Sequence, residues 1–279
     1  MQKVRVLFDA RKAGHTGNLD PFATGMLPVC LGEATKTAAF MLDADKTYHA
    51  TARLGEATTT GDPEGELILQ QPVPDLDARA VADVLSSFVG PISQLPPMFS
   101  ALKHQGRPLY EYARQGVTIE RERRSVTIHE LRLLHWQAPE LQFEVRCSKG
   151  TYVRTLAEDI ASALGSCAHL RELRRLSVAP FPAQAMVTLD ALAEAAAAGS
   201  LRDYLLPTDA GLPGMPVVRL DEAQAGAFRR GQAVACEGAG GWVRAHDGQG
   251  LLLGLGEVGE GQLQPRRVMQ INPQEDTWG

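Results

Sequence analysis

An aspartate stands by itself in "GHTGNLDPFATG" (residues 14–25), between glycine turns and directly before a proline, with His15 five positions upstream. Two chemistries fit Asp20. An Asp-Pro pair starts a helix well, because the carboxylate accepts free backbone N–H groups and the proline ring suits the first turn. A carboxylate held outside regular structure can instead serve as a nucleophile. Gly25 and Pro28 follow too soon for much helix behind a cap. Glycines at 14, 17 and 25 also let the loop fold tightly and let another backbone approach. His15 reads as a loop imidazole or a substrate-contacting ring. No H-E-x-x-H or similar array supplies the further ligands that a zinc site needs, so no metal is expected.

Three more side chains invite chemistry. Tyr48 falls in a strand pattern and Tyr152 at the start of a helix pattern, where an aromatic is ordinary core material. Arg154 borders the apolar stripe of that helix instead of opposing it. Such an arginine either extends its head to water or pairs with a buried carboxylate. The chain has no G-x-x-x-x-G-K-[ST] phosphate loop, no credible dinucleotide fingerprint and no G-x-S-x-G elbow.

These residues need elements to hold them, and composition bounds what those can be. With 279 residues, 44% hydrophobic and 22% charged, the chain reads as a soluble globular protein with room for a second, smaller domain. No apolar run approaches the roughly 20 residues that cross a bilayer. "MQKVRVLFDA" lacks the apolar core of a secretory signal, so a cytoplasmic protein is expected. Cys30, Cys147, Cys167 and Cys236 form no C-x-x-C pair and read as reduced thiols. The net charge of −5 argues against non-specific coating of nucleic acid. Yet residues 101–125 hold six Lys/Arg against three acidic side chains, as do residues 146–175, while 56–86 hold seven acidic against one arginine.

The periodicity predicts a short helix over 33–42, a strand over 46–54 and a helix from Asp77 to Phe88. Another short helix should end at Gly116, and a hairpin should join "RSVTIHELRLLHW" to "ELQFEVRCS" across "QAPE". Val153, Leu156, Ala157, Ile160 and Leu164 mark an amphipathic helix that Gly165 stops. A strand over "ELRRLSVAPF" and a helix over "LDALAEAAAAG" follow. "LPTDAGLPGMPVV" suits a linker. Short strands at "WVRAHDG" and "LLLGLGEV" form a small β-rich tail.

Five segments together resemble the TruB-type tRNA pseudouridine synthases of bacteria: "AGHTGNLDPFATGMLPVCLGEATK", "DKTYHATARLG", "PPMFSALKHQGRPLYEYARQG", "CSKGTYVRTLAEDI" and "HLRELRRLSV". They occur in the family's order, and the tail is similar to its RNA-binding PUA module. The resemblance implies an α+β fold: a mixed, largely antiparallel sheet flanked by helices, with residues 1–210 as the synthase domain and 214–279 as a small β-rich PUA-like domain.

The resemblance also implies an isomerase that converts uridine 55 of the tRNA T-loop to pseudouridine. Asp20 matches the family's nucleophile and Arg154 the arginine that ion-pairs with it. Tyr48 matches the aromatic that stacks on the flipped base, and His15, Tyr152 and Leu173 match other substrate contacts. The chemistry suits these types: a base must leave its stack before it reacts, and an aromatic platform offsets part of that cost. The implied partner is the tRNA T-arm, with no cofactor, no guide RNA and no obligatory protein partner. The insertion at 56–125 and the short tail separate the chain from guide-RNA-dependent synthases. Members of the family begin about 25 to 30 residues earlier, with a strand and a D-K-P-x-G turn. A tRNA-binding folding helper with little turnover is therefore the rival expectation.

Overall fold

A computed structural model of the chain describes residues 1–238 and 240–270. Residues 271–279 of the expected tail domain lie outside the described residues. Two compact units form, one from Leu19–Met26 with Asp43–Val178, the other from Met1–Asn18, Leu27–Leu42 and the described part of Ala179–Gly279. Each is interleaved in sequence, so the first 42 residues are shared between them.

The Asp43–Val178 unit is built on a six-stranded sheet. Its spatial order is Thr24–Gly25, Ala168–Val178, Lys46–Leu54, Glu140–Cys147, Arg124–Gln137 and Gly90–Gln94. Only the first pair is parallel; the others are antiparallel. Lys46–Leu54 is an interior strand of the sheet, and its alternation puts Tyr48, Ala50, Ala52 and Leu54 on one face, in the core. The expected hairpin forms between Arg124–Gln137 and Glu140–Cys147.

Two helices cover this sheet's core. Ala78–Ser87 starts where the Asp77 carboxylate accepts from the Ala80 N–H at 2.7 Å. Val153–Ala163 buries Leu156, Ala157, Ile160 and Ala161 completely or nearly so. Leu156 and Ile160 each contribute about 1.5–3 kcal/mol by burial. An isolated helix this short is marginal in water, so packing fixes it in place, and with it Arg154.

The other unit joins N-terminal pieces to the tail. A helix at Gln2–Leu7 packs on the helix Leu189–Ala198, which is capped by Thr188 and ended by Gly199 with left-handed backbone. Ala13–His15 pairs with Val29–Leu31. The helix expected over 33–42 is broken: Gly32–Lys36 is a 3-10 turn and Ala38–Met41 a single α-turn. Its lead residue Gly32 has φ of 52°, which starts no regular helix. The tail forms a five-stranded sheet, ordered Val217–Arg219, Gly241–His246, Leu252–Gly259, Gln262–Val268 and Val234–Ala235. The helix Glu222–Arg229 packs on it. The proline-marked stretch before it is less free than a linker: Asp209 pairs with Arg244 at 2.9 Å and His246 at 3.0 Å.

Candidate active site

Asp20 caps no helix. Pro21 and Phe22 form a turn in which the Asp20 carbonyl accepts from the Ala23 N–H at 2.9 Å, and the chain then enters the short strand Thr24–Gly25. The turn frees the carboxylate, which meets Arg154. Nη2 of Arg154 donates to Oδ1 at 3.1 Å, and Nε lies 2.8 Å from Oδ2. Nη2 makes the charge-assisted hydrogen bond of the pair, and Nε adds a close charge contact without hydrogen-bond alignment. Of the two sequence readings for Arg154, the buried pair is the one observed: its side chain is 5% exposed against 33% for Asp20.

Arg154 is held from several sides. Nη1 donates to the Thr60 carbonyl at 2.7 Å and Nη2 to the Phe99 carbonyl at 2.8 Å. Nη1 also lies 3.3 Å from Oδ2 of Asp62, whose side chain is only 4% exposed. The other oxygen of Asp62 accepts from the Thr60 hydroxyl at 2.5 Å and the Glu64 N–H at 3.1 Å. One interior cation thus sits between two carboxylates, one interior and one open to solvent. Burial pushes the Asp20 pKa above the ordinary aspartate value, while the Arg154 guanidinium pulls it back toward the ionised form.

Tyr48 and Leu173 face the same apolar cluster from neighbouring strands, Leu173 opposite Ala50 and Tyr48 two residues away. Phe22 and Ala23, next to Asp20, pack against that cluster. Tyr152 immediately precedes the helix of Arg154. Its N–H donates to Oε1 of Gln94 at 3.0 Å, and its carbonyl accepts from Nε2 at 3.2 Å. Both phenols titrate above the usual tyrosine value, chiefly because they are buried. Asp20 raises both a little further, which sets its charge within electrostatic reach of each ring. Of the six expected site residues, Asp20, Arg154, Tyr48, Tyr152 and Leu173 belong to this unit. His15 belongs to the other, in the short ladder opposite Val29.

The sequence reading missed Asp62, Gln94 and Arg175. Asp62 enters it only among the seven acidic side chains of 56–86; its signal was the local "TTTGD" pattern, in which a threonine two residues back can bond an aspartate. The basic runs also carry less free charge than their counts imply. Arg154 and Arg175 are interior. Arg146 pairs with Asp45, Lys149 with Asp43 and Arg171 with Glu140. Arg121 bonds the Pro96 and Ile119 carbonyls.

The chain superposes on an H/ACA RNP structure bound to a substrate RNA containing 2′-deoxyuridine with a TM-score of 0.72 at 21% identity, covering 99% of this chain and 82% of the other. A Cbf5-Nop10-Gar1 complex gives 0.70 at 24% identity, covering 95% and 78%. The chain therefore shares the fold of these structures. Family models narrow this: the N-terminal domain of TruB family pseudouridylate synthases matches residues 5–153. The C-terminal domain of tRNA pseudouridylate synthase B matches 154–213, and the pseudouridine synthase II TruB C-terminal model 216–269. The tRNA pseudouridine synthase B of Sodalis glossinidius is 50% identical over 279 residues, covering 96% of this chain and 89% of the relative. That of Haemophilus influenzae is 48% identical over 275 residues, covering 96% and 90%. The chain belongs to the TruB family of pseudouridine synthases, which are isomerases.

Proposed function

We propose that this chain converts uridine 55 in the T-loop of tRNA to pseudouridine, with Asp20 as the nucleophile. The observation that carries this is the Asp20–Arg154 pair: a carboxylate freed from capping, partly open to solvent and ion-paired with a buried guanidinium. Relatives about 50% identical over nearly the whole chain bear the name of a tRNA pseudouridine synthase, which supports the substrate class.

The reaction breaks the N1–C1′ bond of uridine and forms a C5–C1′ bond. The hydrogen of C5 is lost as a proton, and N1 ends with one. Composition and oxidation state do not change, so the isomerisation calls for no cofactor. Asp20 in its ionised form, which Arg154 favours, bonds to C1′ as N1 leaves with the bonding pair, and C5 then displaces the carboxylate from C1′. The base must leave the T-loop stack first, and Tyr48 is the platform on which it stacks. Tyr152, Leu173 and His15 contact the uridine and its surroundings. Residues 1–210 supply the chemistry, and 214–279 act as a PUA-like RNA-binding accessory. The enzyme works on the tRNA T-arm in the cytoplasm without a guide RNA or an obligatory protein partner.

Asp20→Asn tests this reading. An amide caps turns and helices about as well as the acid, but it forms no covalent adduct. The variant is expected to bind tRNA nearly as the parent does, since most affinity comes from backbone contacts, and to form no pseudouridine. Pseudouridine formation by Asp20→Asn at a substantial fraction of the parent rate would remove Asp20 from the role. Tight binding of tRNA by the parent with no turnover would favour a folding helper instead.

A further inference from the structure

Arg175 lies in the strand Ala168–Val178, opposite Gly25 on one side and Tyr48 on the other. It is 1% exposed and is the largest fully buried side chain among the described residues. Taking a guanidinium out of water costs on the order of several kcal/mol unless fixed polar groups replace the solvent. Its partners show what that cost secures. Nε donates to the Met26 carbonyl at 2.7 Å, and the guanidinium charge lies near enough to the Tyr48 phenol to favour its ionised form against burial. The main chain of the same residue holds the same loop, with the Met26 N–H donating to the Arg175 carbonyl at 2.8 Å. Gly25 crosses so close that a Cβ there would overlap the Arg175 backbone.

We propose that Arg175 is a positioning residue: one buried guanidinium fastens the loop that carries Asp20 to the strand that carries Tyr48, so that carboxylate and ring keep a single spacing. This rests on the roles given above to Asp20 and Tyr48. Interior as it is, Arg175 is not available to phosphates, so it does not count among the groups that grip RNA. The arrangement needs an arginine. A planar guanidinium bonds the Met26 carbonyl through a fixed plane while holding its charge beside the Tyr48 ring, and it stays charged when buried, whereas an ammonium is a single flexible point charge. Reacting groups lose rate steeply when displaced, about 100-fold for a misplacement of about 1 Å.

The test uses Arg175→Lys and Arg175→Met in the full chain. Four readouts are taken: unfolding, tRNA affinity, single-turnover pseudouridine formation and the 19F resonance of 3-fluorotyrosine at position 48. Arg175→Lys is expected to fold, to bind tRNA within about twofold of the parent, and to lose single-turnover rate by on the order of 10- to 100-fold. Combined with Tyr48→Phe, the losses should be less than multiplicative, because the arginine acts in part through the missing hydroxyl. The fluorine resonance should shift or broaden in both variants. An unchanged rate in folded Arg175→Lys would overturn the proposal, as would a loss that merely follows tRNA affinity or stability. So would a resonance that stays in place. A resonance that moves as expected in a protein that makes no pseudouridine would leave the positioning role standing and sink the proposed function instead.

Discussion

Arg154→Met removes the cation shared by Asp20 and Asp62 and keeps much of its bulk. Asp20 is a third exposed and can turn to water, but Asp62 is 4% exposed and cannot. At 3.3 Å the Asp62–Arg154 attraction is about 5 kcal/mol for an effective dielectric constant near 20. The variant does not forfeit all of it, because an abandoned carboxylate can take up a proton. That escape costs about 1.36 kcal/mol for each pH unit above the usual aspartate pKa near 3.9, or about 4 kcal/mol at pH 7 and about 1.5 kcal/mol at pH 5. Arg154→Met should therefore cost about 4 kcal/mol at pH 7, in the range measured for broken buried pairs. The sign follows from linkage. In the variant the folded Asp62 holds its proton to a higher pH than the unfolded chain does, so stability falls as pH rises above about 4. Urea unfolding of parent and variant at pH 5 and pH 7 measures both values. Arg154→Met with Asp62→Asn should regain part of the loss at pH 7, since no buried acid is then abandoned. A destabilisation under about 1 kcal/mol at pH 7, or one equal at both pH values, would refute the shared-cation argument.

Asp20 titrates above the ordinary aspartate value, so the single-turnover rate should decline on its acid side at a higher pH than a free aspartate would dictate; a rate steady down to that ordinary value would contradict its ionised role. Gly25→Ala places a Cβ against the Arg175 backbone at a φ of 103°. It should cost at least about 1–3 kcal/mol and lower turnover with it, and a variant as stable and active as the parent would show that the loop can move aside. Charge neutralisation at the exposed Lys103, Arg114 and Arg124 should weaken tRNA binding and flatten its dependence on salt. The same change at Arg146 and Lys149, already paired with Asp45 and Asp43, should do less; equal effects would mean that those pairs open on binding.

What the sequence determined by itself is what local patterns carry. The 46–54 strand, the 124–148 hairpin and the helices at 78–87, 153–163 and 189–198 appear where alternation, helical spacing and Thr, Asp or Gly end signals place them. Asp20 stood out because no helix could follow it, and Arg154 because it interrupted an apolar stripe. Five motifs in order carried the family. The sequence left two readings for each of those residues; only the tertiary structure showed that Asp20 caps no helix and that Arg154 is buried in an ion pair. Asp20 and Arg154 are 134 positions apart, and no period of 2 or 3.6 spans that distance. Asp62 becomes a partner of Arg154 only once its turn is folded beside the 153–163 helix. Arg175 turns inward because register shifts in the 168–178 strand, at Leu170/Glu172 and again past Arg175, reset which residues face the core. Such choices depend on which strands become neighbours. That is settled by burial summed over a whole unit, and no short window of residues contains it.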